Sequence, residues 1–295
     1  MRGEMTSERR AALLPIFAIA GAMISVQLGA TTAHKLFATL GAPGATALRV
    51  SLAAIMVVVI LRPWRAKLTL KSVPILLVYG VTLGLMNYTF YWALSLAPQG
   101  VVVALEFTGP LAVAIGSSRR WIDFAWIALA VVGLLFLLPI GHSATAIDPR
   151  GAVLALVAGG FWAIYILAGR RAGAAHGRYA TAFGMIIAAA VVLPLGIAQT
   201  GPRLFAPAFL PLALLVALLS SAIPYTLEMF ALMRTPPQVF GTLMSMEPAI
   251  GAVLGLAFLS EHLTLTQWLA IVAVMGAAFG VAITAPQQPS IEELG

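Results

Sequence analysis

The 295-residue chain contains no cysteine, which excludes disulfides and thiolate metal sites. Charge is also scarce: Asp, Glu, Lys and Arg together make up 9% of the residues, against about 25% in a soluble domain. No His/Glu zinc motif, glycine-rich phosphate loop or nucleophile elbow is visible. The four histidines, His34, His142, His176 and His262, fall in or near expected loops without metal spacing. An integral-membrane enzyme would need a nucleophile or metal constellation, so the chain is not expected to be an enzyme or to carry a cofactor. The net charge of +7 is of the sign that nucleic acid attracts, but the basic residues cluster between apolar segments, as the positive-inside rule describes. No nucleic-acid partner is expected.

What is present is apolar sequence, 61% of the chain. Runs of about 20 apolar residues recur between charged or Pro/Gly-rich breaks. They predict an all-α integral membrane protein with ten transmembrane helices near 12–32, 43–61, 73–95, 99–117, 121–140, 150–169, 179–199, 208–233, 237–259 and 265–284. The segment Met1 to Arg10 resembles a signal n-region, but the apolar run after it is too long for a signal h-region, so an uncleaved first helix is expected.

Charge sets an orientation. With the N-terminus in the cytoplasm, the cytoplasmic segments hold Arg2, Arg9, Arg10, Arg62, Arg65, Lys67, Lys71, Arg119, Arg120, Arg170, Arg171, Arg178 and Arg234. The opposite side holds only Lys35, Arg150 and Arg203. The positive-inside rule therefore expects tails 1–11 and 285–295 both in the cytoplasm.

The halves also echo one another. Tyr88-Thr89 recurs as Tyr225-Thr226, Ala93-Leu94 as Ala231-Leu232, Pro98 as Pro236, Pro110 as Pro248 and Trp126 as Trp268. Five expected spans separate each pair, so the second copy is inverted. The implied domains are five-helix repeats over 12–140 and 150–284, with a substrate site near the midplane between them and alternating access by rocking.

Three glutamates, Glu106, Glu228 and Glu247, lie where lipid would otherwise be. A charge at a helix centre costs about 2.5–3.5 kcal/mol on insertion scales, so such groups face a bundle interior or a watery cavity. In the third span Asn87 and Tyr91 share a helix face beside Tyr88; in the eighth, Ser221, Tyr225 and Glu228 form one stripe. These side chains either line a site or hydrogen-bond between helices. Glu106 and Glu247 each sit beside a proline, Pro110 and Pro248, expected to break a helix and turn polar backbone toward a cavity; a kink with a structural glutamate is the other reading. Arg49 is either a buried counter-charge or snorkels to the interface. Gln27, Trp162 and Tyr165 are candidates for the same space. Gly80-xxx-Gly84 and Gly251-xxx-Gly255 read as helix-packing motifs.

Four blocks then carry a resemblance: Gly41-Ala-Pro-Gly-Ala-Thr-Ala-Leu-Arg49, Val103-Ala-Leu-Glu-Phe-Thr-Gly-Pro-Leu-Ala-Val113, Trp162-Ala-Ile-Tyr-Ile-Leu-Ala-Gly169 and Gly241-Thr-Leu-Met-Ser-Met-Glu-Pro-Ala249. They resemble the EamA-type drug/metabolite transporters, more narrowly the bacterial threonine/homoserine exporters, over about residues 12 to 284. The resemblance implies a ten-helix carrier in the bacterial inner membrane that exports small amino acids, with shared elements at Arg49, Pro110, Trp162, Glu247 and Pro248. The acidic turn Ser260-Glu-His-Leu-Thr264 has no counterpart after the fourth span. A drug or other metabolite as substrate of the same fold is the main alternative, with a channel a more distant one.

A zwitterionic amino acid needs an anion near its ammonium and a cation or dipole near its carboxylate. The glutamates supply the first, and Arg49 or N–H groups at a helix break the second. Without a nucleotide-binding motif, a proton carried by one of the glutamates is the expected coupling ion, in antiport.

Overall fold

The structure is a computed structural model that describes residues 2–66, 68–116, 121–137, 148–235, 240, 244 and 246–284. All regular structure among the described residues is helical: α1 (Arg2–Leu61), α2 (Val73–Leu94), α3 (Gln99–Glu106), α4 (Thr108–Gly116), α5 (Trp121–Leu137), α6 (Pro149–His176), α7 (Tyr179–Thr200), α8 (Leu210–Ala217), α9 (Ile223–Arg234), α10 (Glu247–Leu259) and α11 (Leu265–Thr284), with short 3₁₀ turns between some of them. Five stretches are long and apolar enough to cross a membrane: Leu14–Leu61, Leu70–Leu94, Pro149–His176, Tyr179–Phe205 and Pro207–Arg234. Shorter apolar helices cover Gln99–Val113, Phe124–Gly133, Glu247–Leu259 and Leu265–Ala277. Ile55, Val59, Ile60, Phe124, Leu167 and Val272 point outward and exposed, a surface suited to lipid rather than water.

Sequence chemistry explains where the helices bend. Gly41 has φ 67° and ψ 166°, a left-handed conformation that glycine adopts without a Cβ clash, and it divides α1 into arms over 2–40 and 42–61. The first arm starts well before the expected boundary at residue 12. In the fourth expected span the break lies at Phe107, between α3 and α4. Pro110 lies three residues beyond it, inside α4, and cannot donate to the Glu106 carbonyl. Pro248 is the second residue of α10, so it opens that helix instead of kinking it. Between α8 and α9 the chain adopts a π-helical turn over Leu218–Ala222 that sequence periodicity did not reveal. Such turns recur at functional sites because they widen the backbone and re-aim side chains. The expected spans 121–140 and 237–259 lie partly outside the described residues, as do Lys67, Arg119, Arg120, His142, Pro236 and the 285–295 tail. His34 lies inside α1, not in a loop.

Small residues let the helices close. A Cβ on Gly80 would lie 2.4 Å from Ile187, and one on Gly84 3.1 Å from Ala188, so this motif seats α2 on α7. The tightest approach is at the α3–α4 break, where a Cβ on Gly109 would come within 1.9 Å of the Gly159 carbonyl oxygen on α6. Both atoms are backbone-fixed. Gly109→Ala must therefore push α4 off α6, at a cost of about 1–3 kcal/mol or more. We expect its melting temperature in detergent to fall measurably, whereas Gly160→Ala, which meets nothing within 4 Å, should leave it unchanged.

Two apolar clusters fill the interior, and the chain passes from one to the other repeatedly. The first gathers Ile19, Met23, Val57, Leu83, Ala168, Met185 and Met229; the second gathers Leu36, Leu40, Leu94, Val101, Ala155, Val216 and Ile271. Buried polar residues fall at the crossings or within about a turn of them: Gln27 between Met23 and Ala30, Arg49 between Ala45 and Val50 and Glu106 between Leu105 and Phe107 lie at crossings, and Asn87 and Ser220 lie just on the first-cluster side of theirs. A polar layer thus lies between two apolar ones.

Candidate functional site

That layer lines a small, partly open cavity of about 40 Å³. Helix α1 contributes Val26 and Gln27, α2 contributes Met86, Asn87, Phe90 and Tyr91, and α6 contributes Trp162. Glu106 comes from the last residue of α3, Ser220 from the π-helical turn, Tyr225 and Glu228 from α9, and Glu247 from the first residue of α10. The three isolated glutamates of the sequence therefore line one cavity. Phe107, at the α3–α4 break, meets Trp162 edge-on with ring centroids 5.7 Å apart, which fixes the indole beside Glu106.

Arg49 is fully buried next to this space, so it does not snorkel. Its Nη2 donates to Asn87 Oδ1, and its Nη1 donates to the Ser220 hydroxyl at 3.1 Å and to the Ser221 hydroxyl. The guanidinium carbon lies 3.8 Å from the centroid of the Tyr91 ring, a cation–π contact. Asn87 is itself oriented: its Nδ2 donates to the Leu83 carbonyl at 2.7 Å, and its Oδ1 also accepts from the Tyr225 hydroxyl at 2.8 Å. Spans three and eight therefore meet through their polar faces. No carboxylate pairs with Arg49 among the described residues; neutral dipoles surround it. A cation held in this way keeps its charge available to an incoming anion.

The glutamates differ in their fixation. Glu247 Oε1 accepts from Gln27 Nε2 at 3.0 Å, while its Oε2 is buried without a partner among the described residues. Glu106 and Glu228 line the cavity without a hydrogen bond from the described chain. Arg49 Nε and the Tyr91 hydroxyl are likewise buried and have no partner among the described residues. Buried polar atoms are nearly always satisfied, so donors and an acceptor left open around one cavity need an explanation.

Not every expected residue is there. Tyr88, the sequence counterpart of Tyr225, turns away from the cavity toward α7, where its hydroxyl accepts from Gln199 Nε2 at 2.5 Å, and packs on Trp92. Tyr165 stands one layer back, stacked on Tyr79 at 5.0 Å and tilted against Tyr225 at 6.3 Å. Pro110 and Pro248 shape the backbone beside Glu106 and Glu247 and do not line the space. Sequence reasoning overlooked Ser220, Gln99 and Thr31. The adjacent serines in an apolar run were a usable signal for the first; the buried Gln99 had none beyond being an amide near an expected helix start.

The chain is 50% identical over 281 residues to the threonine/homoserine exporter RhtA of Escherichia coli K12, covering 95% of each chain. The chain belongs to the EamA-like transporter family. The exporter RhtA of Salmonella typhimurium LT2 is equally similar, at 50% identity over 95% of each chain, and the model of the EamA-like transporter family matches residues 149–283. One crystal structure of a protein shares the fold with a TM-score of 0.62 at 17% identity, covering 94% of this chain and 98% of the other. This EamA-family chain is thus a membrane transporter, not an enzyme.

Proposed function

We propose that the chain exports threonine, homoserine and similar small amino acids from the cytoplasm across the bacterial inner membrane, by alternating access coupled to proton entry. The carrying observation is that one cavity is lined by Glu247, with an open acceptor at Oε2, and by Tyr91, with an open hydroxyl, while Arg49, whose Nε is also open among the described residues, is bonded to the lining residues Asn87 and Ser220. An α-ammonium fits the acceptor and an α-carboxylate the donors. Asn87, Ser220 and Tyr225 offer partners for a side-chain hydroxyl. The identity to curated threonine/homoserine exporters supports the same substrate class.

The architecture proposed with this function has ten transmembrane helices in two inverted five-helix repeats, 12–140 and 150–284, with tails 1–11 and 285–295 in the cytoplasm. The break at Gly41, which divides α1 into two arms, supports it, as does the passage of α1, α2, α6 and α11 between the two apolar clusters. The polar layer would then lie near the midplane, where inverted-repeat carriers bind substrate. Counterflow in proteoliposomes tests the substrate: preloaded unlabelled threonine or homoserine should drive saturable accumulation of labelled threonine, and an unrelated cationic drug should not. Counterflow with the drug alone would replace this reading with a drug exporter of the same fold; conductive, unsaturable flux would indicate a channel.

A further inference from the structure

Helix α3 has to begin next to an apolar environment, and the first N–H groups of any helix lack partners within it. The Gln99 N–H, just after Pro98, points at Glu261, whose Oε1 and Oε2 lie 3.1 and 2.9 Å away. Glu261 belongs to the 260–264 turn after α10, 162 residues further along the chain. Ser260, at φ 55°, bends the backbone there, and the Glu261 N–H bonds back to the Gly255 carbonyl at 3.2 Å. Gly255 leaves room for this carboxylate, since a Cβ there would lie 2.2 Å from Glu261 Oε2. Burial pushes the Glu261 carboxyl up from the ordinary carboxylate range, with the Gln99 N–H pulling the other way. The carboxylate is thus partly stripped of water to cap a helix from the other half of the chain.

The cap leads to the cavity. Gln99 Nε2 donates to Gln27 Oε1 at 2.7 Å and to the Gln27 carbonyl at 3.1 Å, and Gln99 Oε1 accepts from the Thr31 hydroxyl at 3.0 Å. Gln27 Nε2 then donates to Glu247. Because an amide oxygen only accepts and its nitrogen only donates, both glutamine side chains have one orientation that satisfies this chain. We propose that this chain of hydrogen bonds is a gate over the cavity, in which Glu261 is the positioning residue that latches α3 to the α10 end and Gln99 and Gln27 connect the latch to Glu247. The proposal rests on the carrier reading above. When the Gln99 N–H is released, α3 is free to part from α10 at Pro98, opening the cavity at the end that carries the 260–264 turn. A ligand that takes Glu247 Oε1 from Gln27 disturbs the same chain from the inside.

The chain has no cysteine, so Val26→Cys places a single thiol on the cavity wall. Labelling by a membrane-impermeant maleimide is compared in whole cells, which expose the 260–264 end in the proposed orientation, and in inverted vesicles. Adding Glu261→Ala should raise the whole-cell rate at least about tenfold, the loss of one charge-assisted hydrogen bond, without a rise in inverted vesicles. Glu261→Gln, which keeps one acceptor, should give a smaller rise and decides the matter if the alanine variant does not reach the membrane. An unchanged rate, or an equal rise from both sides, overturns the latch. A rise confined to inverted vesicles keeps the latch and reverses the orientation. Labelling is read without substrate, so it bears on the latch whatever the cavity carries; threonine counterflow by the unsubstituted chain tests the carrier reading separately.

Discussion

Arg49→Ala should lower threonine counterflow by about a hundredfold or more, the largest loss expected of any single substitution in this chain. The side chain is fully buried and joins α1 to two other elements, through Asn87 on α2 and through Ser220 and Ser221 in the π-helical turn before α9. Hydrogen bonds to a charged group contribute about 1.5–3 kcal/mol each, and about 1.4 kcal/mol is a factor of ten, so losing two of them suffices for the predicted effect. Lysine should not rescue. An ammonium is a point charge with no planar fork, and cannot stack on Tyr91 while reaching Asn87 and both serines. We expect Arg49→Lys to recover less than about a tenth of parental counterflow, since it restores the charge without the paired geometry. The measurement needs membrane abundance and melting temperature beside transport. A lysine variant that exchanges threonine at the parental rate would show that charge alone matters and that the fork has no role.

The sequence showed which residues were anomalous more clearly than how they are arranged. Glu106, Glu228, Glu247, Asn87 and Tyr225 stood out because an apolar chain has few reasons to hold them, and all five line one cavity. Charge scarcity made that inference strong. It was misled at two points, once by the repeat that matches Tyr88 to Tyr225 and once by helical spacing. Tyr88 and Asn87 are neighbours in sequence, but a helix turns about 100° per residue, so only one of them faces the cavity and the other meets Gln199. The i, i+4, i+7 stripe of Ser221, Tyr225 and Glu228 assumed an unbroken α-helix, whereas the π-helical turn aims Ser220 and Ser221 together at Arg49. Long-range capping was beyond sequence altogether. Nothing local marks Glu261 as the partner of Gln99, because the bond depends on how α3 packs against α10.

Replacing single glutamates by glutamine should separate substrate binding from proton coupling. Glu247 is held by Gln27 at one oxygen and open at the other, the fixation expected of a group that must present a precise acceptor to an ammonium. Glu228 has no hydrogen bond from the described chain and lies on the side of the cavity where α9 enters the first apolar cluster with Tyr225 and Met229. A carboxylate left free to take up and release a proton from either side is the better carrier. Glu228→Gln is therefore expected to abolish stimulation of threonine transport by an imposed pH gradient while threonine–threonine counterflow persists within about threefold, a change of only about 0.7 kcal/mol. Glu247→Gln should do the reverse in kind: counterflow falls about tenfold or more through a raised KM, because a neutral amide replaces the anion that faces the ammonium. Both are measured in the same proteoliposomes, with and without the gradient. If Glu106→Gln, Glu228→Gln and Glu247→Gln all keep full gradient-driven transport, no carboxylate of this cavity carries the proton. If Glu247→Gln alone removes the gradient response, the two roles are exchanged, and the Gln27 bond then tethers the proton carrier itself to the Glu261 latch.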